Sequence, residues 1–198
     1  MLDRRDLRRR LYALAAQQSG HFTAAQAKHL GYSYQAQKYH VDAGNWWRLD
    51  RGIFRLPEWP VGEHDNLVRW SLWSAGKGIV SHDTAAALHV LGDLNPSRVH
   101  LTVPDDFRRR PDAAVVIHRG QLPDGDVVGF EGFSATSPLR TIFDVAADSR
   151  SQDVVDMLVE DALDVGAVTR RQLLRRADEF GPAAALAIER ALAPAVNP

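Results

Sequence analysis

Three residues with the chemistry of a hydrolytic triad, Ser81, His82 and Asp83, are consecutive in this chain. Side chains of neighbouring residues point in different directions, so a proton relay through these three is not expected. A serine followed by polar residues and then an apolar run is typical of a helix start, where the hydroxyl accepts a backbone hydrogen bond. We therefore predict that Ser81 is the N-cap of a helix and not a nucleophile.

The other patterns that could support catalysis are incomplete. Asp105 and Asp106 follow a predicted strand, as at the start of a metal-dependent nuclease core, but that core needs a later acidic-x-lysine pair and Lys77 is the last lysine. Gly76-Lys77-Gly78 lacks the spacing and the Ser or Thr of a phosphate-binding loop. The histidines show no metal-ligand spacing, and those in apolar runs are interpreted as structural: His89, His100 and His118. We expect no enzyme activity, metal or cofactor.

Charge is unevenly distributed along the 198 residues. Residues 1–56 contain ten Lys and Arg against four Asp and Glu, a net charge of +6, whereas the remainder contains 14 against 21, a net charge of −7. A basic unit attracts phosphate, so nucleic acid is the expected partner of the N-terminal part. The run Arg108–Arg110 is predicted to lie in an exposed loop that either adds phosphate contacts or is only solvated.

Cysteine usage and hydropathy indicate the compartment. The chain contains no cysteine and no run of about 18 apolar residues, and its arginine-rich N-terminus does not have the pattern of a signal peptide. A protein without disulfides or membrane segments is expected in the reducing cytoplasm.

The segment from Gly20 to Leu56 contains the turn signals of a helix-turn-helix, after a first helix predicted over residues 7–17. Thr23 and Gln26 form a capping box that starts the second helix. Gly31 ends this helix, because glycine readily adopts the left-handed conformation of a helix exit. A third short helix follows directly and is again closed by a glycine, which is typical of a helix-turn-helix.

The third helix is predicted from Ser33 to Ala43 and is expected to enter the major groove of DNA. The stretches Trp46–Leu49 and Ile53–Leu56, with a turn at Asp50-Arg51-Gly52, predict a β-hairpin that would be the wing. Glutamine and lysine can contact base edges, while tyrosine and wing arginines can contact phosphates. The DNA contacts predicted from helix and wing are Ser33, Tyr34, Gln35, Lys38, Tyr39, Arg48, Arg51 and Arg55.

Two prolines at positions 57 and 60 predict a boundary between a winged helix-turn-helix domain at 1–60 and a C-terminal domain at 61–198. Helical and strand-like stretches alternate in the second part, which predicts a mixed α/β domain ending in helices and an α+β chain overall. One predicted helix from Gln152 carries acidic residues around an apolar stripe. Such a face either meets a basic partner or only keeps the helix solvated: Asp153, Asp156, Glu160, Asp161 and Asp164.

Four phrases in fixed order carry a resemblance to a known family. They are GHFTAAQAKHLGYS, RGIFRLP, SHDTAAALHVLGDLNPSRVHLTVP with the arginine run after it, and SATSPLRTIFDVA. Between Gly20 and Ala147 the chain resembles the AbiE-type (AbiEi) antitoxins, transcriptional regulators of type IV toxin-antitoxin and phage-defence systems. The resemblance implies that a winged helix binds inverted repeats in double-stranded DNA of its own promoter and represses the operon. It also implies that the C-terminal domain counteracts a nucleotidyltransferase-like toxin, directly or indirectly.

Other functions stay open from the sequence alone. The main alternative is a stand-alone winged-helix regulator whose C-terminal domain senses a ligand or forms a dimer. A neighbouring gene for a nucleotidyltransferase-like protein would favour the antitoxin, and its absence would favour the regulator. A nucleic-acid enzyme is the third class, and the missing lysine and metal spacing argue against it.

Overall fold

The structure is a computed structural model that describes residues 3–148 and 151–193. Two compact units are present, one containing the chain up to Gly78 together with Gly129–Ser134, the other containing Ile79–Val128 and the chain from Ala135. The sequence prediction placed its boundary at residue 60. The first unit extends further because the helix at Asp65–Trp73 packs against its strands.

The first unit contains four helices and a small sheet among its described residues. In chain order they are α1 (Arg4–Ala16), β1 (His21–Thr23), α2 (Ala24–Leu30), α3 (Tyr34–Asp42), β2 (Trp47–Asp50), β3 (Ile53–Arg55) and α4 (Asp65–Trp73). The sheet is antiparallel with the order β1-β3-β2. β1 was not predicted, because a strand of three residues is too short to show alternation.

Local capping explains where the helices of the first unit begin and end. Thr23 accepts a hydrogen bond from Gln26 N at 3.1 Å, and Gln26 Oε1 accepts one from Thr23 N at 2.7 Å, so the capping box is confirmed. Gly31 follows with φ 115°, which confirms the left-handed exit. Ser33 accepts from Ala36 N at 3.2 Å and starts α3. The two short helices are therefore set by side chains within the same segment.

The core of the first unit is built on aromatic residues. Phe22 on β1 lies opposite Phe54 on β3, and its ring centroid is 4.9 Å from that of Trp46 in an edge-to-face arrangement. Leu11 and Ala15 of α1 complete this buried cluster. Because β3 is the central strand, its side chains are buried and the edge strand β2 is exposed.

The second unit contains five helices and, apart from Gly129–Ser134 of the β7–β8 hairpin, a five-stranded sheet among its described residues. They are β4 (Ile79–Val80), α5 (His82–Leu88), β5 (Val99–Val103), β6 (Val115–Arg119), β7 (Val127–Phe130), β8 (Phe133–Thr136), α6 (Pro138–Ala147), α7 (Gln152–Asp164), α8 (Arg170–Arg176) and α9 (Pro182–Ala191). The strand order is β6-β5-β4-β8-β7. The β5–β6 and β4–β8 pairs are parallel, and the β4–β5 pair is antiparallel.

The mixed α and β composition predicted for the chain is confirmed, but the bounds of some elements differ from the sequence pattern. One of the strand-like stretches of the sequence, from Val127 to Ala135, forms two strands, because Gly132 with φ 82° allows the chain to turn back. The stretch Thr169–Phe180 is a seven-residue helix followed by a 3-10 turn. No helix in the described parts of the chain is long and apolar enough to span a bilayer.

The helices of the second unit enclose one apolar cluster that includes Leu91, Phe143 and Leu158. At its edge, Arg176 donates to both oxygens of Asp126, the longer of these contacts being 3.0 Å. Arg140 donates through Nε to Asp144 Oδ1 at 2.7 Å and through Nη1 to Asp126 at 3.4 Å. The hydrogen bond from Arg176 holds the pKa of Asp126 below its usual range. This network ties α6 and α8 to the segment before β7.

Asp144 has the opposite electrostatic environment. Burial raises its pKa to about 6, only partly offset by Arg140, and its Oδ2 is buried with no hydrogen-bond partner among the described residues. The folded pKa lies above the ordinary value of 3.8. The stability contributed by the protonated Asp144 carboxyl is therefore complete below pH 4 and is lost as the pH rises through 6.

Asp144→Asn removes this titration and should change how stability depends on pH. From pH 4 to pH 8 the free energy of unfolding of the variant, relative to that of the wild type, should rise by about 3 kcal/mol, because only the wild type loses stability as Asp144 ionises. Urea denaturation at several pH values measures the difference. Asp153→Asn, at an exposed position on α7, should leave the pH dependence unchanged. Parallel pH profiles for Asp144→Asn and the wild type would show that Asp144 ionises normally.

Candidate nucleic-acid interface

One face of α3 presents polar side chains to solvent. The face contains Tyr34 and Tyr39, which are 63% and 65% exposed, together with Gln35 and Lys38. Ser33 is also exposed and forms the N-terminal cap. Two aromatic rings are thus exposed beside polar side chains on this face. All five residues predicted on this helix and its cap are exposed.

Gln37 determines which face of α3 is turned outward. Its side chain is 3% exposed, and its Nε2 donates to the backbone oxygens of Ala24 at 3.1 Å and Tyr32 at 3.0 Å. These two bonds fix the rotation of α3 against α2, because a buried amide left unbonded is costly. Gln37 therefore belongs to the inward face of α3.

The cations on this face are held only weakly in place. Lys38 Nζ lies 2.6 Å from Asp42 Oδ2, and both side chains are more than half exposed. Such a surface pair contributes between about 0 and 1 kcal/mol, so a phosphate or base can replace it. Lys28 of α2 lies 4.9 Å from the ring centre of Tyr34 and adds a cation that the sequence analysis missed. Only the packing of α2 beside α3 brings Lys28 to this face.

The β2–β3 hairpin presents two further arginines. Arg48 is exposed on the edge strand, with its guanidinium 5.8 Å from the ring centre of Phe54. Arg51 lies at the turn and is exposed, while its backbone N donates to Asp50 Oδ1 at 2.6 Å. Asp50 Oδ2 is in turn paired with Arg69 of α4 at 3.2 Å. These contacts hold the tip of the hairpin and leave the Arg51 side chain to solvent.

Arg55 does not belong to this exposed set, which corrects the sequence prediction. It lies on the central strand and is 4% exposed. Its Nη2 donates to Trp59 O at 3.0 Å, Pro60 O at 2.8 Å and Asp65 Oδ2 at 3.1 Å. The side chain is consumed by these buried acceptors and cannot reach a DNA phosphate. The exposure of Arg55 was misjudged because the segment from Trp59 to Asp65 covers its side of β3.

The acidic residues of α7 separate into two groups. Asp153, Glu160 and Asp164 are exposed together with Met157, which is 42% exposed. Asp161 accepts a hydrogen bond from Gly92 N at 2.7 Å, and Asp156 accepts one from Gln152 at 2.7 Å. Asp156 and Asp161 are half-buried and already bonded, so the accessible acidic face is narrower than the sequence indicated.

Ser81 occupies the N-cap position of α5, but its side chain forms no capping bond. Its Oγ lies 3.0 Å from His82 Nδ1 and accepts from Thr102 Oγ1 at 2.8 Å. The expectation that neighbouring side chains diverge is wrong here, because His82 has φ 51° and its ring turns back toward Ser81. Ser81 has no exposed surface on which a substrate could bind.

Three histidines distant in sequence meet next to Ser81. The rings of His82 and His118 are stacked with centroids 3.5 Å apart, and His118 Nε2 lies 3.1 Å from His100 Nδ1. This contact follows from the parallel pairing of β5 and β6. Within residues 3–148 and 151–193, no group of three or more His, Asp or Glu is arranged to hold a metal ion.

Comparison with known proteins agrees with this two-part organisation. The family model described as "AbiEi antitoxin C-terminal domain" matches residues 77–194, and the one described as "Transcriptional regulator, AbiEi antitoxin" matches residues 9–57. No curated protein matches the sequence at a significant level.

A solved structure has a similar fold. The crystal structure of the RV2827C protein from Mycobacterium tuberculosis superimposes with a TM-score of 0.61 at 16% identity, over 93% of this chain and 75% of that one. At this identity the similarity establishes the fold alone. The two family models cover most of the sequence and match separate segments of it. The chain therefore belongs to the AbiEi antitoxin family, and its N-terminal segment matches the transcriptional-regulator part of that family.

Proposed function

We propose that residues 4–56 form a winged helix-turn-helix that binds double-stranded DNA. The observation that carries this proposal is the exposed face of α3, which combines Gln35, Lys38 and two tyrosines beside the Arg48–Arg51 hairpin. In this topology α3 lies in the major groove, where glutamine and lysine contact base edges. Arg51, with Arg48 and Lys28, contacts phosphates and sets the salt dependence.

The DNA target we propose is the chain's own promoter, where binding to inverted repeats represses the operon. Family membership supports this target, and the role is one of binding and not catalysis. A mobility-shift titration with the upstream region should give a specific complex. A fragment of the same length with both repeats scrambled should bind only at much higher protein concentration. Equal affinity for the two fragments would contradict an operator-specific repressor.

We further propose that the second unit counteracts a nucleotidyltransferase-like toxin in the cytoplasm, within a phage-defence system. The exposed acidic residues of α7 support a direct contact, because an enzyme that acts on RNA has a basic substrate surface. The contact would use Asp153, Glu160 and Asp164 with Met157 between them, whereas Asp156 and Asp161 are engaged within the fold.

Affinity purification of the full chain with the toxin encoded beside it tests this contact. A stable complex is expected, and a variant with Asp153, Glu160 and Asp164 replaced by lysine should not retain the toxin. Charge reversal at the exposed residues Asp105, Asp106 and Asp112, outside α7, is the matched control and should retain it. Rescue of growth without any complex would contradict direct contact and favour an indirect route.

A further inference from the structure

A groove of about 1000 Å³ lies within the first unit between α1 and α3. Its floor is formed by buried core residues that include Leu11, Trp46 and Leu56. Small-molecule sites in proteins are concave, mostly apolar spaces of about 300–1000 Å³, so this groove is large enough for a compact ligand. Nothing in the DNA-binding role of α3 requires such a space on its flank.

Several aromatic rings line the groove. His40 is stacked on Trp46 at 4.7 Å with 15° between their planes, and Tyr32 meets Trp46 edge to face at 5.1 Å. Tyr12 of α1 lines the other wall. Burial raises the pKa of Tyr32 and lowers the pKa of His40, which favours their neutral forms. Flat rings in this arrangement match a planar aromatic ligand.

The charge at the rim of the groove favours an anion. Arg4 and Arg8 line it from α1, against a single carboxylate from Glu58. Arg8 donates to the Tyr12 hydroxyl at 3.3 Å and lies 5.2 Å from the centre of that ring. Its guanidinium thus contacts a hydroxyl and a ring. A carboxylate on the ligand would give Arg8 a charge-assisted hydrogen bond.

We propose that the α1–α3 groove binds a planar aromatic carboxylate, with its carboxylate on Arg8 and its ring against His40, Tyr32 and Trp46. Ser33 and Tyr39 line the same groove and also belong to the predicted DNA contacts. A ligand in the groove therefore competes with DNA for α3 and lowers its affinity. This second effect rests on the proposed function, whereas binding itself does not.

The binding test uses the full chain without DNA and 2-naphthoate as the probe. Titration followed by amide chemical shifts should give one saturable site, with the changes centred on Gly31, Ser33, Gly44 and Asn45. The neutral 2-naphthylmethanol and the non-aromatic cyclohexanecarboxylate should each bind at least about tenfold more weakly, because each lacks one of the two recognised features.

Substitution at the groove tests the assigned anchor. Arg8→Gln should weaken 2-naphthoate binding about tenfold or more, whereas Arg10→Gln, exposed on the same helix but outside the groove, should leave it unchanged. Absence of shifts at these amides, equal binding of the neutral alcohol, or full binding by Arg8→Gln would overturn the proposal. A concentration-dependent dimer that covers the groove would also overturn it, since a second copy would be the occupant.

The effect on DNA separates this inference from the proposed function. Saturating 2-naphthoate should weaken binding of the wild type to its promoter about fivefold or more and have little effect on Arg8→Gln, as linkage between two sites requires. Naphthoate binding by a chain that does not recognise its promoter would contradict the proposed function and leave the groove assignment intact. Promoter affinity that is unchanged while naphthoate saturates the groove would overturn the competition.

Discussion

Reversing the charge of both Lys38 and Arg51, as Lys38→Glu with Arg51→Glu, is expected to lower the affinity for the specific promoter DNA by at least about 100-fold. Lys38 lies on the exposed face of α3 and Arg51 at the tip of the hairpin, so the two changes remove one groove contact and one backbone contact. Each also places a carboxylate next to phosphate. The plot of log affinity against log salt should become shallower, its slope losing about 0.9 in magnitude for each phosphate that the variant no longer neutralises.

Fluorescence anisotropy with a labelled promoter fragment at several salt concentrations measures both quantities. The matched control is Lys77→Glu with Arg10→Glu, which makes the same charge change at exposed residues outside α3 and the hairpin. The control should bind with nearly wild-type affinity. The fold should persist in the reversed variant, because surface substitutions change the unfolding free energy by about 0.5 kcal/mol or less. Specific binding that survives both reversals would contradict the proposed interface.

Replacing Arg55 with Ala is expected to destabilise the first unit by about 3–5 kcal/mol. The change leaves the carboxylate of Asp65 without its buried partner and leaves two backbone oxygens, of Trp59 and Pro60, without their donor. Removing one member of a buried ion pair costs far more than removing a surface pair, because the remaining charge stays desolvated. Asp65→Asn should show a smaller loss, since the amide oxygen still accepts a hydrogen bond.

Thermal and urea unfolding of the full chain measure this loss, and Arg51→Ala is the matched control four residues earlier. Arg51→Ala should leave stability nearly unchanged and weaken DNA binding. Arg55→Ala should lower stability, and the fraction that remains folded should bind DNA with nearly wild-type affinity. An Arg55→Ala variant of wild-type stability that fails to bind DNA would show that Arg55 contacts phosphate after all.

The pair Arg51 and Arg55 shows where sequence reasoning about the site reached its limit. Both were predicted to contact the phosphate backbone of DNA because both lie in one basic hairpin. A strand pattern alone does not say whether a strand has one neighbour or two, and β3 has two. The unpredicted strand β1 pairs with the second edge of β3. The carboxylate that pairs with Arg55 is that of Asp65 on α4, a helix that the sequence prediction assigned to the other domain. Burial of Arg55 therefore depends on two contacts that are distant in sequence.

The helical part of the predicted interface depends only on residues that are close together in the sequence. Thr23, Gln26 and Ser33 act on backbone groups within three residues, so their roles follow from the local sequence. The inward position of Gln37 follows from the helical period once the ends of α3 are known. For this reason the exposed face of α3 is found at the residues where the sequence places it.

The second unit depends more strongly on tertiary contacts. His100 and His118 were interpreted as structural and His82 as part of a helix start, and only the parallel pairing of β5 with β6 and the positive φ of His82 bring their rings together. The acidic stripe of α7 follows from spacing, but the structure divides it, because Asp161 accepts a hydrogen bond from Gly92, 69 residues earlier.

The sequence by itself determined the basic N-terminal unit, its caps and turns, the exposed face of α3 and the membership that four phrases indicated, because each depends on residues close together along the chain. Tertiary structure alone decided which arginines are free and which acids are bonded, and it created the aromatic groove between α1 and α3. Those features depend on which strands and helices become neighbours, since burial and hydrogen bonding are properties of the surroundings and not of a residue type.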